Sequence, residues 1–415
     1  MRILIVNQWF EPEPTFKGLP FAMALKAAGH DVEVITGYPN YPLGKIYPGY
    51  EMRGFRREVI RGVTVIRVPL FPSHGRSAMK RALNYLSFSV AATIASLFMA
   101  RRPDVTYFYV PAVTAFAPAL ALRFIRSSKV VLDIQDLWPE ALQETGMLAD
   151  GVLLSAIGWW CSLVYRLSDA IVVLSEGYRR RLIARGVDPG KVRVIENWAP
   201  DEDLEPASDG ASIRDAAGAT SDELLLLYAG NMGPAQDLTS LLPAMRDPGI
   251  QKARVRLVLM GGGSEKERIK QVLGRLGVNN VTVLDAVPKA SAKAIIAQAD
   301  AVLVHLRAAP ILDDTVPSKV QSYLASGTPL VAGVGKEAEA LVLESGGGVT
   351  FKQGSPESFA DAVTRLFSMD EAKRREMRAS ALAFYQKRLS MARAVAETID
   401  VLRAAVGGSD TTNVA

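Results

Sequence analysis

Between Asp313 and Glu337 the chain reads DDTVPSKVQSYLASGTPLVAGVGKE, a pattern that suits a helix whose N-terminus holds an anion. Pro317 fits the first helical position, where its fixed φ is already helical and its missing N–H forfeits no bond. Val320, Tyr323 and Leu324 then share one face, and Gly327 with Pro329 ends the element before an apolar run. The free N–H groups of the turn that opens at Pro317, together with the helix dipole, favour a negative group by roughly 0.3–1 kcal/mol when exposed. Lys319 adds a full positive charge in that turn, so a phosphate is the natural guest. An ordinary helix of a parallel α/β layer with one solvated lysine has the same pattern.

Glycine-rich turns after strands are the other places where phosphates meet backbone. Neither Gly230-Asn231-Met232-Gly233 nor Gly261-Gly262-Gly263 completes G-x-G-x-x-G, and no Walker sequence exists, which disfavours a nicotinamide enzyme or a P-loop ATPase. Both turns and the Pro317 helix are nevertheless expected at the C-terminal edge of one parallel sheet, where α/β folds bind ligands. Earlier in the chain, Asp133-Ile134-Gln135-Asp136-Leu137-Trp138-Pro139-Glu140 sets three carboxylates and an amide at the end of an apolar strand. Carboxylates there suit acid/base or electrostatic work; a turn capped by Asp136, with Trp138 packed between domains, accounts for the same residues. The loop NQWFEPEPTFKG (7–18) leads from a strand into a helix, so Lys17 and Gly18 can meet a phosphate or an acceptor, or simply connect the elements.

These groups need a frame, and the alternation of apolar runs with helical stretches supplies one. Strands are expected at Ile3 to Val6, Val32 to Thr36, Val63 to Val68, Val105 to Tyr109, Val130 to Ile134, Ala170 to Leu174 and Val192 to Ile195. Helical patterns between them include Phe16 to Ala28, Ala82 to Ala100, Val113 to Phe124 and Glu176 to Arg185. The scheme repeats with strands Leu224 to Tyr228, Val255 to Met260, Val281 to Leu284, Ala301 to His305 and Leu330 to Ala332. A chain of 415 residues exceeds what one core usually supports, so the fold class is α/β with two doubly wound parallel-sheet domains. The Pro- and acid-rich segment Ala199 to Asp215 is the expected linker, and residues 407–415 are an expected disordered tail. Asp201-Glu202-Asp203 spells the Asp-x-Asp string of metal-dependent nucleotide-sugar enzymes, but its linker composition argues against metal ligation.

A single cysteine, Cys161, in an apolar run beside Trp159 and Trp160 excludes an internal disulfide and reads as a buried structural thiol. His30, His74 and His305 are scattered, so no structural zinc is expected. The N-terminus runs directly into a strand, which predicts a cytoplasmic protein. Net charge is +5, yet residues 1–200 hold 24 Lys+Arg against 16 Asp+Glu (+8) and the remainder 24 against 27 (−3). The basic first half suits phospholipid, a lipid diphosphate or nucleic acid, or it is a soluble basic surface alone. Residues 82–100 carry no charge and are flanked by Arg76, Lys80, Arg81, Arg101 and Arg102. Their polar interruptions favour a helix buried in the fold, with one face at the bilayer interface, over a membrane span.

Together these pieces resemble a two-Rossmann-domain (GT-B) glycosyltransferase of retaining family 4, from Met1 to about Leu402. The resemblance rests on NQWFEPEPTFKGLP, HDVEVITGYPNYPLGKIYPGY, DIQDLWPE, DAIVVLSEGYRRRL, YAGNMGPAQDL and VPSKVQSYLASGTPL. It is greatest to the bacterial subgroup that transfers N-acetyl-fucosamine (L-FucNAc) or related sugars to undecaprenyl-diphosphate-linked glycans of O-antigen and capsule. It implies two Rossmann-like domains facing a central cleft: residues 1–200 for the acceptor and 201–380 for the nucleotide sugar, with a C-terminal helix, 381–406, packing back on the first. The donor diphosphate maps onto Gly230, Asn231, Met232 and Gly233 and onto Pro317, Ser318 and Lys319, with the base near Val287 and Pro288. Paired glutamates of the family correspond to Asp314 and Ser322, with Glu337 a neighbouring contact. The family's acceptor-side histidine corresponds to Gln135, and its Arg/Lys pair is absent near Gln236 and Asp237. Lys319 is thereby the main cationic phosphate ligand, Asp136 the remaining acid/base candidate, and Gln135 an orienting group; Lys17, Gly18 and Trp138 fall on the acceptor side.

The resemblance further implies transfer with retention from a nucleotide sugar, UDP-linked by preference, with no cofactor or metal required. Its implied partners are an undecaprenyl-diphosphate-linked acceptor and the inner face of the cytoplasmic membrane, where the protein would be peripheral, and not nucleic acid. A GT-B nucleotide-sugar 2-epimerase and a catalytically degenerate sugar-nucleotide-binding protein share the same architecture.

Overall fold

The structure is a computed structural model that describes residues 1–73, 77–110, 116–140, 142, 151–199 and 212–407. His74, residues 113–115 of the expected Val113 to Phe124 helix, Asp201-Glu202-Asp203 with most of the expected linker, and the tail beyond 407 lie outside these. The chain divides into two compact units, Met1–Glu196 joined by the chain from Met391 onward, and Asn197–Ser390.

The first unit is built on eight strands: β1 (Arg2–Asn7), β2 (Asp31–Gly37), β3 (Arg56–Ile60), β4 (Val63–Val68), β5 (Val105–Val110), β6 (Lys129–Ile134), β7 (Ala170–Val173) and β8 (Val192–Val194). They lie in the order β3-β4-β2-β1-β5-β6-β7-β8. Every neighbouring pair is parallel except β3 with β4. Continuous apolar runs such as Ile3-Leu4-Ile5-Val6 are buried on both faces, as a helix-covered parallel sheet requires. β3 was not expected from the sequence. Its RREVI composition interleaves charge with apolar residues because it is a half-exposed edge strand.

Five helices of this unit are α1 (Leu19–Ala27), α2 (Ala78–Phe98), α3 (Ala117–Arg126), α4 (Val152–Leu167) and α5 (Glu176–Ala184). Among the described residues no helix is long and apolar enough to cross a membrane. α2 packs on β2, β4 and α3. Cys161, on the inner face of α4, is buried, and burial pushes its thiol pKa up to about 12. That is the chemistry of an inert structural thiol.

The second unit has six strands: β9 (Leu224–Ala229), β10 (Val255–Met260), β11 (Val281–Leu284), β12 (Ala301–His305), β13 (Leu330–Gly333) and β14 (Gly348–Thr350). All are parallel, in the order β11-β10-β9-β12-β13-β14. Its helices are α6 (Ile213–Ala217), α7 (Pro248–Lys252), α8 (Lys266–Leu276), α9 (Lys289–Ala297), α10 (Ser318–Ser326), α11 (Lys336–Ser345), α12 (Pro356–Phe367) and α13 (Glu371–Phe384). One core layer holds Ile250, Ile269, Phe359 and Val363 against the sheet, the other Ile295, Val320, Leu324, Ala338 and Leu341. The expected C-terminal helix divides at Ser390. α13 contacts α10 in the second unit, whereas α14 (Met391–Val406) packs against α1, β5 and β6 of the first.

Strand order reverses between β9 and β12 in the second unit and between β1 and β5 in the first. These are the switch points at which loops diverge and a ligand crevice opens. The Gly230–Gly233 turn follows β9 and the Gly261–Gly263 turn follows β10, and the two interlock. Gly261 has φ +153°, and a Cβ there would fall 1.8 Å from the Gly230 carbonyl oxygen. Gly261→Ala is therefore expected to destabilise the second unit by about 1–3 kcal/mol or more, read as a lower urea midpoint. An unchanged midpoint would contradict this close approach.

Candidate functional site

β9 ends on Tyr228 and Ala229, and the chain turns at Gly230 with φ +140°. The Tyr228 hydroxyl donates to the Asn231 carbonyl, fixing the ring beneath the turn. Lys319, in the first turn of α10, extends over that ring with Nζ 3.9 Å from its centroid. Glycine leaves the ammonium in this position: a Cβ on Gly230, itself strained at this φ, would fall 2.6 Å from Lys319 Nζ and push the side chain aside. No carboxylate lies within ion-pair distance of Lys319 among the described residues. Its ammonium is half-buried, and desolvation lowers its pKa to about 8. Such a cation, held on a π face without a counter-ion, is stabilised by an arriving anion.

The backbone divides this role unevenly. Gly230 N–H donates to Met260 O (2.9 Å), Met232 N–H to Gly262 O (2.6 Å) and Gly233 N–H to the Gln236 side-chain oxygen (3.1 Å). The expectation that the Gly230–Gly233 N–H groups cradle a phosphate is thus corrected: only Asn231 has its N–H uncommitted among the described residues. Pro317 is also one position earlier than expected, as the N-cap rather than the first helical residue. Val320 N–H returns to Pro317 O (2.8 Å), which leaves Ser318 and Lys319 N–H at the open end of the helix.

Ser318 is exposed, and Ser322 lies one turn further along the same face of α10, half-buried. Asp314 ends the short 3-10 turn Leu312–Asp314 that leads into α10. That turn packs against α11, whose first turn carries Glu337, so Asp314 and Glu337 come from neighbouring elements. Val287 and Pro288 follow β11, two strands from β9 and so about 9–10 Å away along the sheet edge. Pro288 caps α9 and is exposed, while Val287 packs on the core.

Sequence reasoning did not find the brace behind the turn. Gln236 holds Gly233 N–H and the Asn231 amide (3.3 Å), and its own carbonyl lies 2.8 Å from His305 Nδ1. His305 Nε2 accepts from Gly354 N–H (3.0 Å), so the ring is the neutral Nδ1–H tautomer, and burial lowers its pKa accordingly. A glutamine three residues after the second glycine of the turn is the local signal for this brace; the histidine at the end of β12 has none.

In the first unit, Asp133 at the end of β6 is fully buried. It accepts from the Tyr107 hydroxyl and from Gln135 Nε2 (2.6 Å), and lies 3.8 Å from Lys17 Nζ. Burial raises the Asp133 pKa and lowers that of Lys17, while their mutual attraction opposes both shifts. Lys17 and Gly18 were expected to face a phosphate or acceptor; both are instead buried, Lys17 because its charge is held by Asp133. Trp138 is corrected likewise. Its side chain is buried and its carbonyl accepts from Arg185 (2.8 Å), which also pairs with Glu140.

Asp136 is exposed, and desolvation by the surrounding protein raises its carboxyl pKa. Gln135 is half-buried with its amide nitrogen committed to Asp133. Glu140 is half-buried as well but paired with Arg185, which leaves Gln135 and Asp136 as the segment's candidates. Glu13, missed in the sequence, is buried and accepts from the N–H groups of Phe10 (3.3 Å), Asn40 and Tyr41 (both 2.7 Å). Burial raises its pKa to about 7. It ties the loop after β1 to the Tyr38–Tyr47 loop.

Residues 20–198 match the family model described as "Glycosyl transferase 4-like domain", and residues 210–383 the one described as "Glycosyl transferases group 1". A relative in Escherichia coli K12, assigned to colanic acid biosynthesis as glycosyl transferase WcaI, is 26% identical over 340 residues, covering 79% of this chain and 82% of its own. Sucrose-phosphate synthase of Thermosynechococcus elongatus superimposes with a TM-score of 0.71 at 16% identity, covering 97% of this chain and 98% of its own. The Anabaena protein HepE, in complex with UDP, superimposes at 0.68 and 17% identity over 97% and 100%. Both structures share the GT-B fold of two Rossmann-like units.

With its pKa near 8, Lys319 changes from mostly charged at pH 7 to mostly neutral at pH 9. If it holds a diphosphate, UDP affinity measured by calorimetry falls roughly tenfold over that interval, and Lys319→Arg, charged throughout, removes the fall. A pH-independent affinity in the unaltered protein would contradict the assignment.

Proposed function

We propose that this chain, a GT-B glycosyltransferase of the group 1, GT4-like type, transfers a sugar from a nucleotide sugar to a lipid-linked glycan in cell-surface polysaccharide synthesis. The observation that carries the reading is the Lys319 cation, held over Tyr228 at the open end of α10 and at the switch point of the second sheet. A leaving nucleoside diphosphate gathers negative charge as its bond to the sugar breaks, and a fixed cation with two free N–H groups stabilises that charge more than the ground state. Lys319 supplies the positive charge, so no cofactor or metal is needed.

UDP is the favoured nucleotide, in keeping with the UDP complex of the Anabaena structure. The sugar is an N-acetylated hexosamine or deoxyhexosamine, and the acceptor an undecaprenyl-diphosphate-linked glycan at the inner membrane face. Ser318 and Ser322 line the phosphate side, Asp314 and Glu337 the ribose or sugar, and Val287 with Pro288 the base. In the transfer the acceptor oxygen bonds to the anomeric carbon on the face that the diphosphate leaves, with retention, as the carbon–oxygen bond to phosphate breaks. The hydroxyl proton passes to a phosphate oxygen of the leaving group. Gln135, its amide fixed by Asp133, orients the acceptor, and Asp136 is the accessible carboxylate that adjusts it.

Incubation with labelled UDP-sugars and undecaprenyl-diphosphate-linked acceptor tests this. Label in the lipid fraction is the expected result, whereas a soluble epimer, or binding without turnover, would overturn it in favour of an epimerase or a binding protein. Lys319→Ala is expected to lower kcat/KM at least tenfold, about 1.4 kcal/mol of barrier. Unchanged kinetics would remove Lys319 from the reaction.

A further inference from the structure

We infer that the outward face of α2 is a membrane-embedding surface that lies flat in the headgroup region of an anionic bilayer. The helix is apolar on its outward side as well as on the side that packs into the fold, where Phe88, Ala91, Ala92 and Ala95 are buried. The polar residues of its N-terminal half are tied inward: Asn84 accepts from Gln8 Nε2 (2.5 Å) and donates to Phe71 O (2.7 Å), and Ser87 Oγ accepts from Phe71 N–H (2.8 Å). Its outer side is apolar. Met79, Leu83, Leu86, Val90, Ile94 and Phe98 are all exposed, Met79 at 82% and Phe98 at 81%. Their spacing of three or four residues places them in one stripe down a 21-residue helix, about 30 Å long at 1.5 Å per residue. An unbroken apolar stripe of this length on a solvent-facing helix marks an interaction surface.

Charge selects the occupant. Residues 78–98 contain no Asp or Glu, while Lys80 and Arg81 stand at one end of the stripe and Arg102 just beyond the other. Pairing of the face with a second copy about a two-fold axis, with the helices parallel or antiparallel, sets cation against cation at both ends. An anionic lipid surface instead complements both ends while the stripe enters the interface. The Asn84–Gln8 bond places the N-terminal third of α2 beside the loop that follows β1, so lipid contact brings the strand ends that carry Gln135 and Asp136 alongside the membrane.

Flotation of the full chain with phosphatidylglycerol/phosphatidylcholine vesicles tests the surface without recourse to any transfer assay. The unaltered protein is expected to float with these vesicles and far less with pure phosphatidylcholine. The triple variant Leu86→Gln/Val90→Gln/Ile94→Gln, in which exposed positions alone are changed, should keep its thermal unfolding temperature and lose at least tenfold of the bound fraction. In a separate Val90→Trp variant, vesicles should shift the added emission to the blue, with quenching by brominated acyl chains. Equal flotation of the triple variant, or emission unmoved by lipid, would overturn the inference. So would conversion of a lipid-free dimer to monomer by the triple variant, which would assign the face to a second copy.

Discussion

The second unit is organised around a cation, Lys319, that has no carboxylate within ion-pair distance among the described residues. Lys319 is supported by a π face, at 3.9 Å from the Tyr228 centroid, and that support contributes about 0.5–2 kcal/mol. It is insufficient to offset partial desolvation, and the lowered pKa records the difference. Much of the local architecture follows from keeping that charge in place. A side chain on Gly230 would displace the ammonium, one on Gly261 would strike the Gly230 carbonyl, and Gln236 with His305 braces the turn. Of the turn N–H groups, those of Gly230, Met232 and Gly233 are committed to this frame, which leaves Asn231, the helix end and the ammonium as the donors an anion could meet.

The first unit deals with charge in the opposite way. Lys17 and Asp133 neutralise each other in the interior, where breaking such a pair is more costly than its net contribution suggests. Asp133 spends its remaining acceptor capacity on Tyr107 and Gln135. The charge expected at an acceptor surface is therefore a framework that aims Gln135 from behind, and Asp136 is the exposed carboxylate at its side.

The parallel layers were legible because buried strands such as Ile3-Leu4-Ile5-Val6 and Leu224 to Tyr228 are apolar on both faces and so mark themselves in sequence. β3 was not, since an edge strand shares its charged alternation with loops. The Pro317 helix and the glycine turns were legible as elements that meet at one sheet edge, because helix caps and glycines act through local backbone geometry. Which N–H groups remain free was not: Met232 spends its donor on Gly262, thirty residues away. Lys17 is similarly opaque, because its inward turn depends on Asp133, which is adjacent only once β1, β5 and β6 pair. The uncharged run of α2 was legible in composition, but its exposed apolar stripe was not, because that depends on which side packs on the sheet and on Gln8 and Phe71 holding Asn84 and Ser87 inward.

The most direct measure of whether the Lys319 cradle receives the donor is amide hydrogen exchange of the full chain with and without saturating UDP. The account predicts that slowed exchange concentrates in the peptide that opens α10, residues 317–322, and extends to Asn231, while amides already bonded at Gly230, Met232 and Gly233 change little. Protection confined to the loops of the first unit, or no protection in 317–322 under saturation, would contradict it.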